Sequence, residues 1–248
     1  MITTVRAKIE ADDESKTLKF ASIFKEVGSN TFDEFRKMTL LNRKVYKKLM
    51  GEATLLIKKF HMRWQPKEWA ALKSLPGGEE QDPHRDIPAV EIGKARKKFS
   101  EIQAGLIIGL TENTKLVLYP KCFAVADPRR RTEVLLGAGD CVIFRGDVIH
   151  SGAVFKELNY RIHCVLTIKG IKWGADATEF VPPPAYKSRD RELNEKGKFC
   201  CVCKKQFAKC NTYYKHYNLR HKPYLKLYVH PEGSDKLQPP KNETLASG

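Results

Sequence analysis

The stretch Gln81-Asp82-Pro83-His84-Arg85-Asp86-Ile87-Pro88 constrains this chain more than any other. It sets an imidazole and a carboxylate two residues apart, just ahead of a β-rich run. On an extended strand, residues two apart share a face, so His84 and Asp86 can converge on one metal ion. A second histidine, His150, follows in Gly146-Asp147-Val148-Ile149-His150-Ser151-Gly152, and Arg161 stands eleven positions beyond it. Two imidazoles and one carboxylate on one face of a metal ion leave its other positions open to exogenous ligands.

The run after this motif reads as short strands divided by Gly and Asp turns. Ala104 to Leu110 is a continuous apolar segment, as a buried strand requires. Lys115 to Tyr119, Glu133 to Leu136, Asp140 to Arg145 and Tyr160 to Ile168 complete the set, and the pattern predicts a β-sandwich or jelly roll. Upstream, Thr31-x-x-Glu34 has the form of a capping box. The spacing of Phe32, Phe35, Met38, Leu41 and Tyr46 predicts a helix from there to Leu49. A second amphipathic stretch runs from Leu55 to Trp64 and is broken by Pro66 ahead of Trp69 and Leu72. The basic run Lys94, Arg96, Lys97, Lys98 reads as a solvated loop.

His84-x-Asp86, His150 and Arg161, in that order, resemble the Fe(II)/2-oxoglutarate-dependent dioxygenase superfamily. Gly139-Asp140-x3-Phe144-Arg145-Gly146-Asp147-x2-His150-Ser151-Gly152, followed by Asn159-Tyr160-Arg161-Ile162-His163, most resembles its phytanoyl-CoA-hydroxylase-like branch. The likeness spans roughly residues 80 to 170. It implies a double-stranded β-helix, cupin-like, with the metal in its mouth. It also implies Fe(II) on His84, Asp86 and His150, O2 and 2-oxoglutarate as co-substrates, and Arg161 as a planar fork for the distal carboxylate of 2-oxoglutarate. Tyr119 is a candidate second contact to that carboxylate. Glu157 is the alternative ion-pair partner of Arg161. His163 shares the face of Arg161 by alternation and reads equally as a pocket or a core residue. Arg145 and Asp147 flank the turn before His150.

Val181-Pro182-Pro183-Pro184-Ala185 marks a boundary. Beyond it, Cys200-x2-Cys203-x12-His216-x4-His221 matches the spacing of a Cys2His2 zinc finger. Phe207 and Tyr213 supply its small core, and bound Zn(II) would supply the folding free energy that so few residues lack. By resemblance to DNA-reading fingers, Lys209, Thr212 and Lys215 face a groove. The expected organisation is mainly β with flanking helices. Residues 1–180 form the helix-flanked β domain, 181–196 a linker, 197–225 a ββα finger and 226–248 a polar tail.

Charge sharpens the choice of partner. The chain carries 45 Lys and Arg against 29 Asp and Glu, a net +16. Residues 187–223 hold eleven basic against three acidic residues, so half of the excess lies there. Such a stripe suits a polyanion, and nucleic acid is the expected partner. No apolar run is long enough to span a bilayer. Early Asp12, Asp13 and Glu14 do not suit a signal peptide. The expected location is therefore intracellular, nucleus or cytoplasm, with the seven cysteines reduced or metal-bound. The alternatives are an oxygenase of a small molecule or protein side chain with a structural finger, a non-enzymatic nucleic-acid-binding protein, and a cupin-like isomerase or metal store.

Overall fold

The computed structural model describes residues 1–24, 32–122, 125–171 and 178–181, together with the backbones of residues 198–200, 205–207 and 226–228. In chain order the elements are α1 (Ile2–Glu14), β1 (Ala21–Phe24), β2 (Phe32–Leu40), α2 (Lys47–Phe60), β3 (Trp64–Ser74), β4 (His84–Arg85), α3 (Ala89–Phe99), β5 (Ala104–Gly109) and β6 (Thr114–Tyr119). They continue with β7 (Thr132–Leu136), β8 (Cys141–Arg145), β9 (Ile149–Gly152), β10 (Asn159–Ile168), β11 (Glu179–Phe180), β12 (Lys198–Cys200), β13 (Lys205–Phe207) and β14 (Lys226–Tyr228). One antiparallel sheet has the order β1-β2-β3-β10-β5-β8-β14, and a second has the order β11-β4-β9-β6-β7. The strands expected after residue 100 all form. Among the described residues, no helix is long and apolar enough to cross a membrane.

Two-residue alternation explains how the layers stack. On β5, β8 and β10 one parity faces the helices: Leu106, Ile108, Ile143, Ile162, Cys164 and Leu166 pack with Leu49, Met50, Ala53 and Ile57 of α2 and Ile9 of α1. The other parity faces the second sheet, where Ile107, Val142 and Phe144 meet Leu116, Leu118 and Leu136. The result is a jelly-roll-like sandwich braced by helices on one side. On β10 that inner parity carries Arg161, His163 and Val165.

The first half of the chain departs from the helical expectation. Residues 32–40 are the strand β2, paired with β3 from Arg36↔Ser74 to Leu40↔Ala70. Its apolar residues point outward: Phe32 is 65% exposed and Leu40 63%. Its buried residues are Asp33 and Arg36, joined as an ion pair. The three-residue apolar spacing imitates a helix face, but a strand ladder and a buried charge pair decide the backbone here. The helix begins later, at Lys47, and ends at Phe60. Pro66 lies inside β3 rather than after a helix. It sits opposite Leu166, where the register with β10 shifts, the kind of irregular position that tolerates a missing N–H. The basic run at 94–98 lies on the helix α3, not in a loop.

The turn between β8 and β9 rests on a buried pair. Arg145 and Asp147 are 1% and 0% exposed. The Arg145 Nε donates to Asp147 Oδ1 at 2.7 Å, and its Nη2 donates to Oδ2. Asp147→Ala takes the carboxylate away from this buried guanidinium. The expected cost is about 3–5 kcal/mol, read as a fall in melting temperature of roughly 10 °C for a protein of this size. Thermal unfolding checks it, and an unchanged midpoint would contradict the structural role.

Candidate metal centre

His84 lies on β4 and His150 on β9, and the two are direct partners across the antiparallel pair. That register sets their ring centroids 4.6 Å apart. Asp86 follows two positions after His84, on the same side, and the three residues present ligand atoms within 4.8 Å of one another. Asp86 Oδ1 lies 3.3 Å from His150 Nε2 and 3.9 Å from His84 Nε2. Each ring is oriented from behind. His84 Nδ1 meets the Asp82 carbonyl at 2.6 Å, and His150 Nδ1 meets the Val148 carbonyl at 3.2 Å. Both contacts require an N–H at Nδ1, which leaves Nε2 as the lone-pair donor. Both histidines are 5% exposed.

Packing reinforces the position of His150. The Phe144 ring stands edge-on to it, with centroids 5.0 Å apart. Phe144 reaches that place over Gly105, where a Cβ would lie 2.4 Å from its ring. Gly152, two residues past His150, admits the Gln81 side chain, since a Cβ there would stand 2.3 Å from Oε1. The residue between the ligands on β4, Arg85, is also buried and pairs with Glu179 at 2.8 Å. Glu179 in turn accepts from the Ala89 amide at the start of α3.

The electrostatics suit a divalent cation. Burial and the neighbouring His150 push His84 down to about 4, against the pull of Asp86, so it is neutral at pH 7. Burial alone would raise Asp86, but His150 and His163 outweigh it and hold the carboxyl well below the usual range. Burial disfavours the charged form of His150, yet the Asp86 carboxylate raises it overall. A neutral imidazole, an ionised carboxylate and a second imidazole paired with it form a donor set for Fe(II) or a similar ion.

Arg161 is 6% exposed. Its Nη1 donates to Ser74 Oγ at 2.9 Å and to Asn159 Oδ1 at 3.2 Å, and its guanidinium lies 5.1 Å from the Phe155 ring centroid. Burial, with Arg36 nearby, pulls it down to about 9, which leaves it charged at neutral pH. Among the described residues no carboxylate pairs with it, Glu157 included. A buried cation with no carboxylate partner among the described residues fits an anionic ligand.

The structure does not bring Tyr119 to this group. Leu118 pairs with His150 and Tyr119 with Ile149, so alternation turns Tyr119 to the opposite face of the sheet. Its hydroxyl donates to Glu80 Oε1 at 3.3 Å, within a set that includes Ser151 and Arg131. His163 does reach the site: its Nε2 is 3.3 Å from Asp86 Oδ2. Sequence reasoning missed Arg36. It donates to Asp33 and to the carbonyls of Glu79, Gly152 and Ala153, tying β2 to the segment before His84 and to the end of β9. No signal marked it, because the spacing around it reads as a helix. Beyond residue 197, β12 pairs with β13 and sets Cys200 opposite Lys205. Cys203, His216, His221, Lys209, Thr212 and Lys215 lie outside the described residues.

No family model and no curated protein matches the sequence. Solved structures do resemble it. AviO1 from Streptomyces viridochromogenes Tue57 is 14% identical, with 70% of this chain and 86% of that chain covered at a TM-score of 0.50. A Pseudomonas putida prolyl-4-hydroxylase is 12% identical, with 68% and 86% covered at 0.47. HygX from Streptomyces hygroscopicus, solved with nickel and 2-oxoglutarate bound, is 9% identical, with 75% and 85% covered at 0.48. The likeness to AviO1 concerns the fold.

Proposed function

We propose that this chain is an Fe(II)/2-oxoglutarate-dependent dioxygenase that oxidises a C–H bond of a nucleic acid or a nucleic-acid-associated substrate. The observation that carries the oxygenase reading is the convergence of His84, Asp86 and His150, with a buried Arg161 on the inner face of β10 that has no carboxylate partner among the described residues. Fe(II) held by those three residues would leave positions for a chelating keto acid and for O2, and the bound group supplies oxidative chemistry coupled to decarboxylation of 2-oxoglutarate. The protein's own part is to bind and orient. His84 and His150 present Nε2, Asp86 presents one carboxylate oxygen, and Arg161 offers its guanidinium to the distal carboxylate. The apolar inner face of Ile107, Val142 and Phe144 limits water around them.

The nucleic-acid partner and the zinc finger at Cys200, Cys203, His216 and His221 rest on sequence spacing and on the basic stretch at 187–223. The antiparallel β12–β13 pair supports a finger, since a ββα module opens on such a hairpin. One observation favours a small molecule or protein side chain instead. A cleft of about 470 Å³ is lined by Asp33, Glu34, Glu79, Glu80 and Asp82, with Arg36, Phe32 and Phe35. Such a lining repels phosphate and welcomes a cation.

An anaerobic titration with Fe(II) and then 2-oxoglutarate tests the shared chemistry. The expected result is a visible charge-transfer band that saturates at one equivalent of each. A folded protein with no band would sink the oxygenase reading. Where the band is present, succinate release on single-stranded DNA, RNA or basic peptides separates the substrate classes. Nucleic-acid binding that does not weaken between about 50 and 200 mM salt would exclude the polyanion partner.

A further inference from the structure

We propose that Asn159 is a positioning residue that, with Ser74, takes up the Nη1 end of Arg161 and so presents the Nε–Nη2 edge of the guanidinium as a fork for the distal carboxylate of 2-oxoglutarate. The inference rests on the oxygenase reading above and deepens it.

A guanidinium carries five hydrogens in one plane, two on each Nη and one on Nε. Both hydrogens of Arg161 Nη1 are assigned: one goes to Ser74 Oγ at 2.9 Å and one to Asn159 Oδ1 at 3.2 Å. Nε and Nη2 have no hydrogen-bond acceptor among the described residues, yet neither is sealed off, so both face open space. Phe155 covers one face of the group, its ring centroid 5.1 Å away. What stays open is the side edge, where Nε–H and one Nη2–H run parallel. That edge matches the two oxygens of a carboxylate.

A chain of hydrogen bonds fixes the polarity of Asn159. Its Nδ2 donates to Thr111 Oγ1 at 2.6 Å and to Thr114 Oγ1 at 2.9 Å. Thr114 gives its own hydrogen to the Thr111 carbonyl at 2.9 Å, so toward Asn159 it can only accept. The amide nitrogen therefore belongs with the threonines and the oxygen with Arg161. Turned the other way, an NH2 group would face the guanidinium. Ser74, Thr111, Thr114 and Asn159 are all buried, and the ladder holds them in register. Asn159 and Ser74 are direct partners across β10 and β3, one same-face step from Arg161. A fork held in place before its ligand arrives has less ordering left to do on binding.

The test is a cycle of two ligands and two proteins, run anaerobically on the full chain loaded with Co(II). The ligands are 2-oxoglutarate and 2-oxopentanoate, which share the keto-acid end and differ in the distal carboxylate. Affinities are read from the visible Co(II) bands. Wild type is expected to bind 2-oxoglutarate at least about tenfold more tightly. In Asn159→Leu, 2-oxoglutarate weakens by on the order of tenfold, while Co(II) and 2-oxopentanoate stay within about threefold of wild type. Unchanged 2-oxoglutarate affinity in Asn159→Leu overturns the proposal. So do equal losses for the two keto acids, which a merely structural role would give. A wild type that does not distinguish the keto acids, or binds neither, overturns the co-substrate reading itself, and this inference with it. Should Asn159→Leu fail to fold, Thr114→Val decides the matter. It is nearly isosteric and reaches Arg161 only through Asn159. A loss confined to 2-oxoglutarate is expected, and no selective loss would overturn the assignment.

Discussion

Asp86→Ala is expected to abolish the Fe(II)/2-oxoglutarate charge-transfer band and to weaken Fe(II) binding by roughly a hundredfold or more. Outer-shell partners of metal ligands are already worth about 10- to 100-fold, and this substitution removes a proposed ligand. Asp86 is the one anion in the group, and its Oδ1 is the atom shared between His84 and His150. Without it the site offers two imidazoles alone, one of which, His84, has been pushed down to about 4 by burial and its neighbour. Anaerobic competition against a metallochromic chelator gives the affinity, and circular dichroism confirms the fold. Asp86→Ala protein that binds Fe(II) as tightly as wild type would place the metal elsewhere.

The second large effect belongs to Arg161. Arg161→Met is expected to weaken 2-oxoglutarate by about 2–5 kcal/mol, the usual cost of losing one partner of a buried charge pair, or some thirtyfold to several thousandfold. Fe(II) affinity should stay within a few fold, because among the described residues Arg161 touches none of the proposed ligands. The ligand-free protein should respond in the opposite sense. Arg161 is a buried cation with no carboxylate partner among the described residues, and an apolar side chain of similar length removes its desolvation cost. Its midpoint of thermal unfolding should therefore hold or rise, while the stabilisation conferred by 2-oxoglutarate disappears. Differential scanning fluorimetry with and without 2-oxoglutarate reads both. Equal losses of iron and 2-oxoglutarate affinity would remove Arg161 from its assigned place.

Particular residues show why the site was more legible than the scaffold around it. His84, Asp86 and His150, whose donor atoms the structure brings within 4.8 Å of one another, stand out because a metal group needs scarce residue types at fixed strand spacings. The strands from Ala104 onward were visible because buried strands are continuous apolar runs. Residues 32–40 were misread because Phe32, Phe35 and Met38 recur at helical spacing while the residues that point inward, Asp33 and Arg36, are polar. No local pattern announces a buried ion pair. The helix α1 docks through Asp13, which accepts a hydrogen bond from Tyr160 at 2.6 Å and pairs with Lys73. Both partners lie far away in the chain, so nothing near residue 13 marks it.

By itself the sequence determined the donor types, their order and the parity that places His84 with Asp86 and Arg161 with His163. These follow from the two-residue repeat of a strand, which is a local property. Only the tertiary structure decided that His84 pairs with His150, that Phe144 stands over Gly105 against the His150 ring, and that Tyr119 turns away toward Glu80. It also decided that His163 meets the second oxygen of Asp86. The register between strands far apart in sequence fixes each of these contacts. Register is set by packing and ladder hydrogen bonds across the sheet, which no single segment of the chain encodes.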